Sequence, residues 1–241
     1  MIERQETRRK MKQRNLDVYI HHTMAVCGGF LGIYAILARF NVFGSAQTAN
    51  LMGLIRDLVG RNFIEVAIRL GACIIYVLAI ILATILEKRV KRIQMITIFL
   101  EIVVVGFLGI IPTTIDPMIA LYPMFFITAF QWCIFKGAKG YASSTIFSTN
   151  NIKQTVVSFT EYYLLEENKE KERKEKLEKT KFFGGSLLAF HMGALCSALL
   201  YPLFGIQTVW CCIVPLLFSM TFILYQESQE KNMMCMESIV K

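Results

Sequence analysis

Long apolar runs alternate with short charged clusters along this chain. The runs cover 23–40, 70–86, 93–111, 119–135, 182–203 and 206–225. A helix crosses a bilayer with roughly 20 apolar residues, more than the ten to fourteen of an ordinary core helix. The interval 93–115 holds one charged residue, Glu101. The pattern therefore predicts six membrane-spanning helices, and 241 residues leave no room for a separate soluble domain. Two stretches break the pattern. "FGSAQTANLMGL" from Phe43 and "STIFSTNNIKQTV" from Ser144 are too polar for a span and too apolar for a loop. Each carries a polar triad, Thr48-Ala49-Asn50 and Ser148-Thr149-Asn150, 100 positions apart. Behind the triads, Leu51, Leu54, Ile55 and Leu58, and then Ile152, Val156 and Val157, are spaced as one helix face. Both stretches read as short helices opened by residues that accept hydrogen bonds from unpaired backbone N–H groups.

Charge orients the spans. Only 18% of residues are charged, against about a quarter in soluble domains, and they cluster. Six Lys and Arg precede the first span, four lie in 87–92, and seven lie in 166–181 beside six glutamates. The connections 112–118 and 203–207 have none. Basic segments stay cytoplasmic, so six crossings place both termini inside. The first polar stretch then begins and ends outside, the second inside, and neither crosses. Each half reads span, polar half-helix, span, span. Three crossings per half make the halves inverted, an arrangement common in secondary transporters. The fold class is an all-α integral membrane protein of about six transmembrane helices in two inverted-topology halves. Its parts are a basic cytoplasmic tail (1–18), a first half (19–111), a second half (112–226) with a charged cytoplasmic insert (166–181), and a tail (227–241). The alternative is two amphipathic helices lying at opposite membrane surfaces with their polar residues in water. The first run is read as a retained span, because the bulky "LARFNVF" that ends it offers no small-residue cleavage site.

Two helix N-termini aimed at the midplane would present free N–H donors and partial positive charge, which suit an anion or a carboxylate. Thr48, Asn50, Ser148 and Asn150 are the substrate-contact candidates. Glu101 is costly within a span; it is either a proton or cation carrier or a side chain that snorkels toward Lys91 and Arg92. His191, mid-span, either relays protons or bonds a neighbouring helix. These two are the coupling candidates. Glu65 and Arg69, four apart, read as a structural pair, and Gly28, Gly29 and Gly32 as a smooth packing face. The insert reads as a solvated helix of mixed charge, and near-balanced charge argues against nucleic acid as its partner. The basic tail suits anionic headgroups. The seven scattered cysteines, six of them in apolar runs, show no metal or disulfide spacing. No metal site or cofactor is expected.

The interval from Cys27 to Asn50, "CGGFLGIYAILARFNVFGSAQTAN", resembles the first signature of the YoaK family of bacterial multi-pass membrane proteins. That signature starts Gly-Phe-x-Asp-Ala and ends Ala-Gln-Thr-Gly-Asn. Gln131, Phe135-Lys136, Gly140-Tyr141, Thr145 and Ser148-Thr149-Asn150 resemble the second. The resemblance covers nearly the whole chain and implies a six-span bacterial plasma-membrane protein. It names no substrate, since the family is a domain of unknown function. It also implies that Gln131 lines the same cavity as the triads. The chain is a divergent member: Gly32 stands where the family carries an acid, and Ala49 and Thr149 where it carries glycines.

The function expected is a small-solute transporter or permease, with a midplane site between two half-helix N-termini. The alternative is a non-transporting scaffold or regulator, with the insert and the basic tail as partner contacts. An intramembrane enzyme is not expected, because no nucleophile elbow, zinc-histidine pair or paired acids occur. The partners expected are the bilayer and an unidentified small solute. A homo-oligomer is left open.

Overall fold

The computed structural model describes residues 2–39 and 47–240, with side chains at 13–39, 47–229 and 231. Phe40 of the first predicted span, the start of the first polar stretch, and the side chains of most of the basic tail and of Cys235 lie outside what is described. In chain order the elements are α1 (Ile2–Ala38), α2 (Gln47–Val59), α3 (Phe63–Arg89), α4 (Ile93–Leu108), α5 (Pro117–Ala120) and α6 (Tyr122–Ile134). A small hairpin follows, β1 (Gly137–Ala138) and β2 (Tyr141–Ala142), then α7 (Thr149–Leu164), α8 (Glu170–Phe204), a 3-10 segment (Gly205–Cys212) and α9 (Ile213–Val240). Three helical stretches among the described residues are long and apolar enough to cross a membrane: Gln13–Ala38, Phe63–Arg89 and Glu170–Gln229. The last comprises α8, the 3-10 segment and most of α9. The chain is a membrane protein. α4 and α6 are shorter than the predicted spans 93–111 and 119–135. Helix geometry is disfavoured at the residue before proline, and Pro112, Pro117 and Pro123 crowd this connection.

The bundle has two chemically different ends. At one, the α9 residue Gln226 donates to Asp17 of α1, Arg92 pairs with Glu227 at 2.9 Å, and Lys136 pairs with Glu87 at 2.6 Å. At the other, buried Arg39 donates to the carbonyls of Ile111 and Pro112, and Trp210 Nε1 donates to Gly106 O. The segments 109–116 and 203–212 at this bare end carry no Lys or Arg. From Asp17 to Arg39, α1 rises about 33 Å at 1.5 Å per residue, close to the roughly 30 Å of a hydrocarbon core. At the turn from α8 into the 3-10 segment, Gly205 adopts φ +55°, and α9 runs back to the basic end.

Two of the main helix pairs are parallel. α1 packs on α8, where His22 Nε2 donates to Phe182 O; a Cβ on Gly29 would overlap Phe190 O, and one on Gly193 would overlap Val26 O. α3 packs on α6, where the Tyr122 hydroxyl donates to Ile68 O at 2.6 Å. α2 packs on α3 and α7 on α8; α9 packs on α1 and α4 on α6; α4 meets α9. Exchanging α1 with α6, α2 with α7, α3 with α8 and α4 with α9 maps the first six of these contacts onto one another in pairs and the contact of α4 with α9 onto itself.

The two short helices are inside out relative to a soluble protein. On α2, Leu51, Ile55 and Leu58 are exposed while Asn50 and Asp57 are buried. On α7, Ile152, Val156 and Val157 are exposed while Asn151 and Ser158 are buried. The apolar faces found by periodicity point away from the protein, and the polar faces point into it. The insert 166–181 is helical from Glu170 and forms the first turns of α8, since nothing between Lys181 and Phe182 breaks the helix. One further expectation changes. Arg69 pairs with Asp57 of α2 at 2.6 Å, not with Glu65, whose backbone N–H is capped by Asn62.

Candidate functional site

The second polar stretch is built from the hairpin inward. Gly137 holds φ +139°, and a Cβ there would collide with Tyr141 O, so the strand closes only with glycine. Residues 143–146 then run buried into the bundle. Their backbone groups need partners, and side chains supply them. Ser144 Oγ accepts from the N–H groups of Ile146 and Phe147, and Asn151 Nδ2 donates to Ser144 O at 2.9 Å. Ser143 Oγ donates to Asn151 Oδ1, which leaves it to accept from His21 Nε2 at 2.9 Å. Gln131 Nε2 donates to Met24 O and to Thr145 Oγ1 at 2.9 and 3.0 Å. α1 touches this stretch directly, because Gly28 has no Cβ to hold Thr145 off. Gly28 lies about 10 Å above His21 along α1, so the chain enters from the basic end, reaches mid-depth, and returns as α7.

α2 does the converse. Its C-terminal part is clipped to the bare-end part of α3, with Asp57 bonded to Arg69 and Arg56. Arg69 first, and Arg56 second, hold the Asp57 carboxyl below the usual carboxylate range. Its N-terminus comes to Tyr76, half-way along α3. The two helix starts face one space. Gln47 and Thr48 of α2, with Ser148 and Thr149 of α7, line one cavity of about 460 Å³, walled by Tyr76, Trp132, Ile146, Phe147 and Phe190. Trp132 and Phe147 meet edge-to-face at 5.4 Å. Among the described residues no lysine, arginine, histidine, aspartate or glutamate lines it. Its polarity comes from backbone N–H groups, hydroxyls and the Gln47 amide, whose two polar atoms are buried without partners.

The predicted site residues divide. Thr48 and Ser148 line the cavity, and Ser148 precedes α7 without spending its side chain on a cap bond. Asn50 is buried just beyond the cavity lining, with its Nδ2 unpartnered. Asn150 is exposed, and its neighbour Asn151 is the buried amide that fixes the stretch. Gln131 is buried behind the cavity and positions Thr145 rather than lining the space. Glu101 is fully buried in α4 with neither oxygen partnered, so it does not snorkel. His191 faces outward and donates from Nδ1 to Leu187 O of its own helix. Tyr76, Trp132 and Phe190 went unrecognised because an aromatic inside an apolar run carries no local mark of facing a cavity.

With that geometry in place, the comparison with known families is decisive over most of the chain. Residues 20–222 match the family described as "Protein of unknown function (DUF1275)". The chain belongs to the DUF1275 family. The match runs from the basic-end part of α1 to α9, so it takes in both half-helices and the cavity of this DUF1275 member. No curated protein matches the chain, and no solved structure does.

Proposed function

We propose that this protein is a transporter or permease for a small solute, which binds between the N-termini of α2 and α7 as an anion or through a carboxylate. The observation that carries the reading is the single cavity lined by the starts of both half-helices. Helix starts offer free N–H donors and partial positive charge. A concave space of several hundred Å³ with apolar walls and a few convergent polar groups is the usual form of a small-molecule site. Irregular backbone at membrane depth is tolerated where it is buried or lines a wet cavity.

The two halves, 19–111 and 112–226, are inverted repeats of three crossings each. The exchange-symmetric helix pairing supports this, as does the entry of the two half-helices from opposite ends. The basic end is cytoplasmic and both termini lie there, in a bacterial plasma membrane. The protein is not an enzyme. Thr48 and Ser148 touch the solute, Gln47 and Thr149 join them, and Asn50 and Gln131 support the site. The alternative is a scaffold or regulator that uses the charged start of α8, where Lys176 pairs with Glu161 of α7 at 2.7 Å and Arg173 stacks over Tyr162 while Lys171, Lys174 and Lys181 are exposed.

The test is uptake of a panel of small organic and inorganic anions into sealed vesicles containing the purified protein. At least one anion should accumulate faster than in empty vesicles, and Thr48→Val with Ser148→Ala should slow it about tenfold or more, the loss of two polar contacts of about 1 kcal/mol each. Equal flux in protein-free vesicles, or no effect of the paired substitution, would refute the reading.

A further inference from the structure

Glu101 is the one fully buried carboxylate among the described residues, and the cavity does not use it. It lies mid-way along α4, between the Arg92–Glu227 pair at the basic end and the Trp210–Gly106 bond at the bare end. Antiparallel packing brings Ser219 of α9, also fully buried and unpartnered, to about the same level. Cys27 of α1 is within electrostatic reach of Glu101, and Cys212 lies against Cys27. α6 carries its titratable groups near its ends, as Tyr122 and Cys133, and those of α9 begin more than a turn beyond Ser219 toward the basic end, with Tyr225 and Glu227. No ion pair or hydrogen bond reaches the Glu101 carboxyl among the described residues. A bare carboxylate there costs several kcal/mol, so the neutral, protonated form suits the site.

The surroundings are unequal along the membrane axis. Gln94, two turns before Glu101 on α4, lines two adjoining cavities of about 260 and 270 Å³ at the basic end. Asp17, His21, Glu87, Arg92, Gln226 and Glu227 make those cavities polar. Toward the bare end the buried face of α4 continues as Val105 and Leu108, with no polar side chain. Sideways, the route to the solute cavity is short. Cys27 precedes Gly28, whose Cα surface touches Thr145 and Ile146, and Ile146 is in the cavity wall.

We propose that Glu101 carries an exchangeable proton, delivered and removed through the basic-end cavities, and that its charge state is relayed by α1 to the Thr145–Ile146 wall of the solute cavity. In the exchange the Glu101 O–H bond breaks, the proton passes to water in the basic-end cavities, and a carboxylate remains. That charge must be hydrated or partnered, so α1 and α9 shift around it, and the α1 surface at Gly28 moves the stretch it touches. The relay to the solute cavity rests on the transport reading above; the proton exchange does not.

The test needs no solute. The protein in lipid bilayers is followed by infrared difference spectroscopy as the pH is raised from about 5 to about 10, spanning the range a buried carboxyl can reach. In parallel, emission from the cavity-wall Trp132 is recorded in a Trp210→Phe background, which removes the other tryptophan. The proposal expects a protonated-carboxyl band that is missing in Glu101→Gln and is lost reversibly as the pH rises. It also expects a Trp132 emission change with the same midpoint, abolished by Glu101→Gln. A Glu101 band that persists unchanged to the highest pH, the absence of any such band, or a Trp132 profile identical in Glu101→Gln would overturn it. Failure of uptake with this titration intact would sink the transport reading alone. Uptake with the titration absent would sink the proton proposal alone.

Discussion

Gly193→Ala is the perturbation whose consequence is most directly set by the contact between α1 and α8. A Cβ at position 193 would lie well under 3.0 Å from the carbonyl oxygen of Val26, a backbone atom on a packed helix that cannot rotate away. Restoring a tolerable separation requires the two helices to part by about 1 Å, and interiors packed to crystal density absorb such a shift poorly. Overpacking of this kind costs about 1–3 kcal/mol. The gain in helix propensity from glycine to alanine, about 0.5–1 kcal/mol, offsets part of it. Gly106→Ala is the internal control: it is also helical, but nothing lies within 4 Å of its added Cβ, so only the propensity gain applies. The two variants should therefore differ by about 2 kcal/mol, or about 4–8 °C in Tm for a domain of this size. The assay is thermal unfolding in a mild detergent, read by exposure of the buried thiols of Cys27 and Cys212. Equal melting of the two variants, or a Gly193→Ala protein that melts above wild type, would refute the close contact.

Three other outcomes follow from the site. Asn151→Ala should cost about 1–3 kcal/mol, because Ser143 Oγ and Ser144 O lose their buried partner, whereas Asn150→Ala should stay within about 0.5 kcal/mol; the same melting assay distinguishes them. Gln131→Leu should destabilise by a comparable amount in the same assay, since Met24 O and Thr145 Oγ1 then lose their buried donor. Asp57 is ionised and paired with a lowered pKa, so its contribution is fully present above the unfolded value of about 3.9 and fades as the pH falls through the lower folded value. Asp57→Asn should thus lower Tm at pH 6 and lose its effect under strong acid, and an effect that grows with acidity would contradict the Arg69 clip.

The hydrophobic pattern carried most of the fold. The helix behind the first triad was readable because helical spacing and a polar start coincide there, and basic clusters separated the two ends of the bundle. The same periodicity could not say which way a helix faces. In water the Leu51–Ile55–Leu58 face would turn inward; in lipid it turns out and Asn50 and Asp57 turn in, an inversion that depends on the solvent rather than on the pattern. In the second triad Asn150 is exposed and the buried amide is the next residue, Asn151, because α7 starts at Thr149, a register that polarity alone does not mark. Arg69 found Asp57 instead of Glu65 because the folding of α2 against α3 is a tertiary event with no local signature. The hairpin at 137–142 was also illegible, although Gly137 and Gly140 marked a turn, because two-residue strands leave no alternation to read.

The measurement that tests the central claim most directly is thiol labelling of single cysteines at positions 48, 59, 148 and 164. The protein would lack its native cysteines and be held in sealed vesicles of each orientation. Two half-helices that enter from opposite ends and share one cavity predict that position 59 reacts from one face only and position 164 from the other only. They also predict that positions 48 and 148 react slowly and from the same face as each other. Labelling of 59 and 164 from one common face, or fast labelling of 48 and 148 from opposite faces, would contradict the shared site and leave two separate surface helices.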